Sequence, residues 1–241
     1  MQLALDIGNS RIKWGLRQQD RWHRTGTLLT ASWPMLESLL REHHPLAQVL
    51  ATQVAGPKVA AGVAQCCESA GVPLRWVHAE AEAGGVVNRY ETPQQLGPDR
   101  WAALIGAHAF TSQPAVVVCA GTATTVDALS AEGEFLGGVI LPGLSLMAQA
   151  LSTGTANLTT HSPGRFAALP RSTADAITTG QILATVGAIE QIALTLQSQQ
   201  HKPVVCILSG GHGPLLLPHL ERPVVSVEYL VLEGLARLMS D

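Results

Sequence analysis

The sequence predicts an α/β fold of two similar lobes, each a mixed sheet flanked by helices. Short apolar runs of strand character alternate with helical periodicity along the amino-terminal half. A strand, a glycine turn, a strand, a polar turn and a third strand occur in that order twice, once from Leu3 and again from Val116. Apolar residues fill 46% of the 241 positions and charged residues only 14%, enough to close two cores.

Leu3-Ala4-Leu5 opens as a short apolar strand, Gly8-Asn9-Ser10 turns the chain, and Ile12 to Leu16 alternates as a second strand. A polar turn at Gln18-Gln19-Asp20 leads to a third strand, Trp22 to Leu29. Trp33 to His43 has helical periodicity, with Met35, Leu36, Leu39 and Leu40 on one face. A buried strand (47–54), a helix (58–70) and a strand (74–78) follow, a β-α-β order that implies a mostly parallel sheet behind the meander. Residues 80–95 are polar and punctuated by Gly and Pro, and read as a loop. A helix is expected from Asp99 to about Phe110, joining the two lobes.

Val116-Val117-Val118 then starts the second cycle, which runs through the turn at Gly121 and two more strands to a helix opened by Leu141-Pro142-Gly143. A long helix (173 to about 197), a buried strand (204–209), a glycine-rich turn and a final amphipathic helix (229–239) complete the chain. Laying Gly8 over Gly121 places 3–10 on 116–123. The lobes are therefore expected at 1–113 and 114–241, with the active site in the cleft between them.

A net charge of −3 argues against nucleic acid or an anionic membrane surface as the main partner, since both select basic surfaces. No apolar run reaches the roughly 18 to 20 residues that span a bilayer. Asp6 stands where a leader would need its apolar stretch, so a cytoplasmic location is expected. Cys66, Cys67, Cys119 and Cys206 lack CxxC spacing and read as reduced thiols in or near the core, and the histidines form no HExxH-like array.

Four stretches could carry chemistry. Asp6-Ile7-Gly8-Asn9-Ser10-Arg11-Ile12-Lys13 combines a strand-end carboxylate, which can hold magnesium directly or through water, with a turn whose N–H groups can approach phosphate, and a lysine. The same residues also suit an ordinary hairpin turn. Gly121-Thr122-Ala123-Thr124-Thr125 repeats the device in the second lobe, where hydroxyls and N–H groups suit terminal phosphates. Ser209-Gly210-Gly211-His212-Gly213 could pass close to an adenine or ribose, or be a plain strand-to-helix turn. Gly97-Pro98-Asp99-Arg100 opens a helix. Asp99 there is either a capping residue or a carboxylate that accepts a hydroxyl proton, with Arg100 for an anionic substrate.

Together these motifs resemble type III pantothenate kinases over nearly the whole chain. The family's D-x-G-N-[ST]-x-x-K is matched by Asp6, Gly8, Asn9, Ser10 and Lys13, and its G-x-D-R by Gly97, Asp99 and Arg100. G-T-A-x-T is matched by Gly121, Thr122, Ala123 and Thr125, and G-G-x-I-x-P-G by residues 137–143. The resemblance implies the actin–hexokinase fold with actin/ribonuclease-H-like lobes, a homodimer, and transfer of the ATP γ-phosphoryl group to pantothenate at the first step of coenzyme A biosynthesis. It makes Asp99 the proton acceptor and assigns Tyr90, Gly97, Pro98, Asp99, Arg100 and Thr173 to pantothenate. Asp6, Ile7, Gly8, Asn9, Ser10, Arg11, Ile12, Lys13 and Thr122 are assigned to ATP and its magnesium, with Asp6 as the metal's carboxylate. The resemblance also implies a monovalent cation, ammonium or potassium. Many members carry Asp two residues before the glycine of G-T-A, and this chain has Cys119 there, a poor potassium ligand. Asp127 is the candidate substitute. Two other readings are a kinase of this fold with another acceptor, and a silent nucleotide-binding relative with a regulatory role.

Overall fold

β1 (Gln2–Ile7), β2 (Arg11–Gln18) and β3 (Arg21–Leu29) form an antiparallel meander in which Asp6 stands opposite Lys13. The computed structural model describes residues 1–155, 158 and 164–239. These divide into two units, Met1–Phe110 with Tyr229–Asp241, and Thr111–Glu228.

In the first unit, α1 (Met35–Glu42) leads to β4 (Gln48–Gln53), and α2 (Pro57–Ser69) leads to β5 (Leu74–Trp76). β4 pairs parallel with both β1 and β5, so the sheet order is β3-β2-β1-β4-β5. Leu3, Leu5 and Ile7 alternate onto one face, where Leu36, Leu40, Val63 and Cys67 meet them. Each such fully buried Leu or Ile stabilises the fold by about 1.5–3 kcal/mol relative to exposure.

Residues 80–95 hold more than a loop. β6 (Glu82–Ala83) and β7 (Val86–Asn88) make a small hairpin, turned by Gly84 and Gly85 at φ 56 and 79°. Strands of two and three residues are too short to show a period, which is why composition read them as loop. α3 (Pro98–His108) ends within this first unit rather than joining the two.

The second unit repeats the first. β8 (Ala115–Ala120), β9 (Ala123–Leu129) and β10 (Glu134–Pro142) form its meander. α4 (Leu144–Gly154) and α5 (Thr173–Gln200) come next, then β11 (Val205–Ser209), α6 (Gly213–Leu216) and β12 (Val224–Ser226). β11 lies parallel to β8 and β12 parallel to β11, so the order β10-β9-β8-β11-β12 reproduces that of the first sheet.

α5 differs from the expectation that no segment is long and apolar enough to span a bilayer. Its 28 residues include an 18-residue window of mean hydropathy 1.2, sufficient by length and composition alone. The apolarity is carried by Ala, Ile and Leu interrupted by Thr and Gln, so it forms no continuous run. Ile182, Thr185, Ile189, Ala193 and Leu196, three or four residues apart, form a buried stripe, and α5 packs on β8 and β9.

α7 (Leu230–Leu238) corrects the expected boundary at 114–241, because it packs on α3 and belongs to the first unit. A Cβ on Gly234 would lie 1.8 Å from the Ala102 carbonyl oxygen, so the two backbones touch through a bare glycine. Gly234→Ala is therefore expected to lower stability by about 1–3 kcal/mol, as overpacking does. Gly187→Ala, on α5 with nothing within 4 Å of its added methyl, should gain roughly 0.5–1 kcal/mol. Urea unfolding of both variants measures the contrast, and equal midpoints would contradict the close helix contact.

Candidate functional site

The amino-terminal turn is built by strand pairing and one distant hydroxyl. After β1, the Gly8 N–H donates to the Arg11 carbonyl at 3.0 Å and closes the turn. The Thr30 hydroxyl donates to the Gly8 carbonyl at 2.7 Å, and its N–H to the Ser10 carbonyl at 3.1 Å. Gly8 is half-buried, while Asn9, Ser10 and Arg11 are exposed. Ile7 and Ile12, also within the predicted ATP stretch, lie fully buried in the core on either side of the turn.

Asp6 ends this strand almost enclosed, at 7% exposure, with the Lys13 Nζ 3.6 Å from its Oδ2. Burial pushes the Asp6 carboxyl above its ordinary value; Lys13 pulls it down, and the charge of Asp99 pushes it up again. Asp99, 93 positions along the chain from Asp6 (99 − 6), is thus close enough for its charge to be felt.

Asp99 sits in the first turn of α3, with Pro98 at the first helical position and Gly97 as the N-cap. A Cβ on Gly97 would fall 2.7 Å from the Asp99 Oδ1, so the carboxylate occupies the space that any other residue would fill. Arg100 is buried, and its Nη1 donates to the Tyr90 hydroxyl at 3.1 Å, with the guanidinium carbon 5.7 Å from the ring centre. Asn88 positions that tyrosine. Its Oδ1 accepts from the Tyr90 N–H at 3.1 Å, and its Nδ2 donates to the Pro93 carbonyl at 3.1 Å. The first unit therefore brings together Asp6, Lys13, Gly97, Asp99, Arg100 and Tyr90.

Thr122 and Thr173 belong to the second unit. Thr122 lies exposed in the β8–β9 turn, where the Gly121 N–H donates to the Ala123 carbonyl at 3.0 Å and the Thr122 carbonyl accepts from Gly143 N–H at 2.9 Å. Thr173 is the first residue of α5, whose N-cap Ser172 accepts from Asp175 N–H at 3.2 Å. Thr173 lines a cavity of about 990 Å³ with Met147, Leu151, Arg171, Ile177 and Gln181. Cys119 is half-buried on β8 opposite Thr125, and Asp127, 1% exposed, lies two residues further along β9 on the same face. Cys67 and Cys206 are thiols pushed up by burial to about 11 and about 12, poor nucleophiles near neutral pH.

Three participants had no sequence signal for their roles. Thr30 reaches the first turn from the end of β3, Asn88 holds Tyr90 from the small hairpin, and His212 bonds to the Gly121 carbonyl. Only His212 stood in a stretch singled out beforehand. Among the described residues no cluster of three or more His, Cys, Asp or Glu forms a protein cage for a metal.

A sequence model of type III pantothenate kinases matches residues 2–195. The chain is 46% identical over 237 residues to a type III pantothenate kinase of Aromatoleum aromaticum, covering 98% of this chain and 96% of that one. It is 41% identical over 238 residues to one of an Azoarcus species, covering 98% and 89%. Its fold is similar to that of a Sinorhizobium meliloti protein assigned as a 2-dehydro-3-deoxygalactonokinase, with a TM-score of 0.65 at 13% identity, covering 100% and 99%.

The raised Asp6 carboxyl has a measurable sign. Its folded value lies above the ordinary 3.8, so folding disfavours the ionised form. Relative to a neutral isostere, the wild type keeps its stability below the ordinary value and loses it as pH rises through the folded one. Nucleotide-free Asp6→Asn protein is expected to melt above wild type at about pH 8, with the gap closing as pH falls. A variant melting below wild type at that pH would show that the Lys13 pair outweighs burial.

Proposed function

The chain belongs to the type III pantothenate kinase family, and from that premise we propose that Asp99 accepts the proton as the ATP γ-phosphoryl group passes to the primary hydroxyl of pantothenate. The reaction is the ATP-dependent phosphorylation of pantothenate to phosphopantothenate, in coenzyme A biosynthesis. The two-unit α/β architecture is that of the actin-like kinases and ATPases. The observation that carries the residue roles is the convergence, within the first unit, of the Asp6–Lys13 turn with Asp99 at the start of α3.

In this reading a new oxygen–phosphorus bond forms at the pantothenate hydroxyl while the bond from the γ-phosphorus to ADP breaks, and the hydroxyl proton goes to Asp99. Phosphoryl transfer asks chiefly for positioning and charge neutralisation, so a carboxylate that orients the nucleophile suffices. Arg100, held by Tyr90, is assigned the pantothenate carboxylate, with Gly97, Pro98 and Thr173 as further contacts. Residues 6–13 and Thr122 are assigned to ATP, the backbone N–H groups of the turns facing phosphate oxygens.

Magnesium fits Asp6. The group is an oxygen donor whose burial is only partly offset by one lysine, and the lack of a protein cage among the described residues suits an ion that keeps substrate phosphates and water as its other ligands. When bound it would neutralise phosphate charge; Lys13 and the turn hold the same phosphates from the protein side. A homodimer in the cytoplasm belongs to the same proposal.

Asp99→Asn is expected to lower kcat by about 10²- to 10⁴-fold while nucleotide affinity stays within a few-fold. Pantothenate-dependent release of ADP in a coupled assay, beside calorimetry with a non-hydrolysable ATP analogue, measures both. Turnover within a few-fold of wild type would remove Asp99 from the role of base.

We further propose that potassium and ammonium stimulate this enzyme little, because the sulfur of Cys119 is a poor ligand for such a hard cation. Titrating potassium into a sodium-buffered assay should change the rate less than about twofold. A strong activation would sink that proposal.

A further inference from the structure

β8, β10 and β11 run in the same direction through the second sheet, so their carboxy-terminal ends share one edge. Three turns leave that edge: Gly121-Thr122 after β8, Gly143 into α4, and Gly210-Gly211-His212 after β11. His212, in the third, reaches the first of them and the first turn of α4. Its backbone N–H donates to the Ala120 carbonyl at 3.0 Å, its Nδ1 lies 3.2 Å from the Gly121 carbonyl, and its Nε2 lies 3.2 Å from the Ser145 hydroxyl. A carbonyl can only accept, so Nδ1 carries the hydrogen it donates to Gly121, and Nε2 faces the Ser145 hydroxyl, which can either donate or accept.

The consequence falls on the turn. The Gly121 carbonyl points to His212 and the Thr122 carbonyl to the Gly143 N–H, so both oxygens, which would repel an anion, are held by donors of the protein. Loss of the imidazole frees the Gly121 carbonyl to rotate and unpins the start of α4 from the turn.

We propose that His212 is a positioning residue for nucleotide binding: its ring, between Gly121 and Ser145, holds the Gly121–Thr122 turn in the conformation that receives the phosphates. This rests on the assignment of Thr122 to ATP. The ring keeps the turn in place whether or not pantothenate is present, so its effect appears in nucleotide affinity before chemistry.

The test is calorimetry with a non-hydrolysable ATP analogue and magnesium, alongside steady-state kinetics. His212→Ala should weaken the analogue and raise the KM for ATP by roughly 3- to 10-fold, the loss of one or two hydrogen bonds, with the KM for pantothenate within about twofold. His212→Asn places an amide nitrogen near the position of Nδ1 and should recover most of the loss. Ser145→Ala should show a smaller part of it and add little on top of His212→Ala. Unchanged nucleotide affinity in His212→Ala, whatever its melting temperature, overturns the proposal. So does an equal rise in both KM values without rescue by Asn. Thr122→Val separates the two readings. If it leaves analogue binding intact, the assignment of the turn to ATP fails. If it weakens binding while His212→Ala does not, only the role of His212 fails.

Discussion

The register of β1 against β2 is the constraint on which the first unit's chemistry depends. Side chains alternate along a strand, so a slip of one residue would turn Asp6 and Lys13 to opposite faces. In the observed register they stand directly across from each other, and the lysine is the nearest relief for a carboxylate that burial otherwise disfavours. The turn that follows inherits the same alignment. Gly8 can close onto Arg11 because the strands bring those backbones together, and Thr30 then ties the end of β3 to the same carbonyl. Asp99 enters from α3, so one strand pair and one helix start account for both carboxylates.

The second unit reuses the architecture without the charge. Superposing the cycles at Gly8 and Gly121 puts Cys119 where Asp6 stands. The five corresponding strands keep the same order, so the difference at this position is chemical. A half-buried thiol neither attracts a hard cation nor repels a phosphate, and the turn after β8 is left with backbone N–H groups and hydroxyls. The first turn thus follows a buried carboxylate, and the second follows a thiol.

Much of this was legible in the sequence because glycine and carboxylate positions mark strand ends, and the repeated order of strand and turn needs no three-dimensional information. The eight-residue β2 and the nine-residue β3 are long enough to express a period of two. The hairpin of β6 and β7 is not, and β12, three residues after a proline, offered no pattern either. The allegiance of α7 was hidden for another reason. Its amphipathic face shows that it packs, but only the approach of Gly234 to Ala102 says against what. The polar contacts of Thr30 and His212 were invisible because a hydrogen bond between distant residues leaves no local periodicity to detect, whereas Asn88 makes short-range bonds to Tyr90 and Pro93 of the kind that asparagine makes in turns.

Asp6 also shows why a site of this kind costs stability in the absence of its ligands. Desolvation dominates the environment of the carboxylate, and a lysine 3.6 Å away offsets it only in part. A cation drawn to that oxygen would relieve the penalty, and the relief would appear as affinity. Any ligand that bound the folded protein through that oxygen would add its binding free energy to the stability of the fold. An isosteric amide at position 6 would remove the buried charge and its pairing with Lys13 together, whereas Asp99 stands half-buried in the first turn of α3. The two carboxylates are close enough for the charge of Asp99 to bear on Asp6, and Asp6 is the more enclosed of the two.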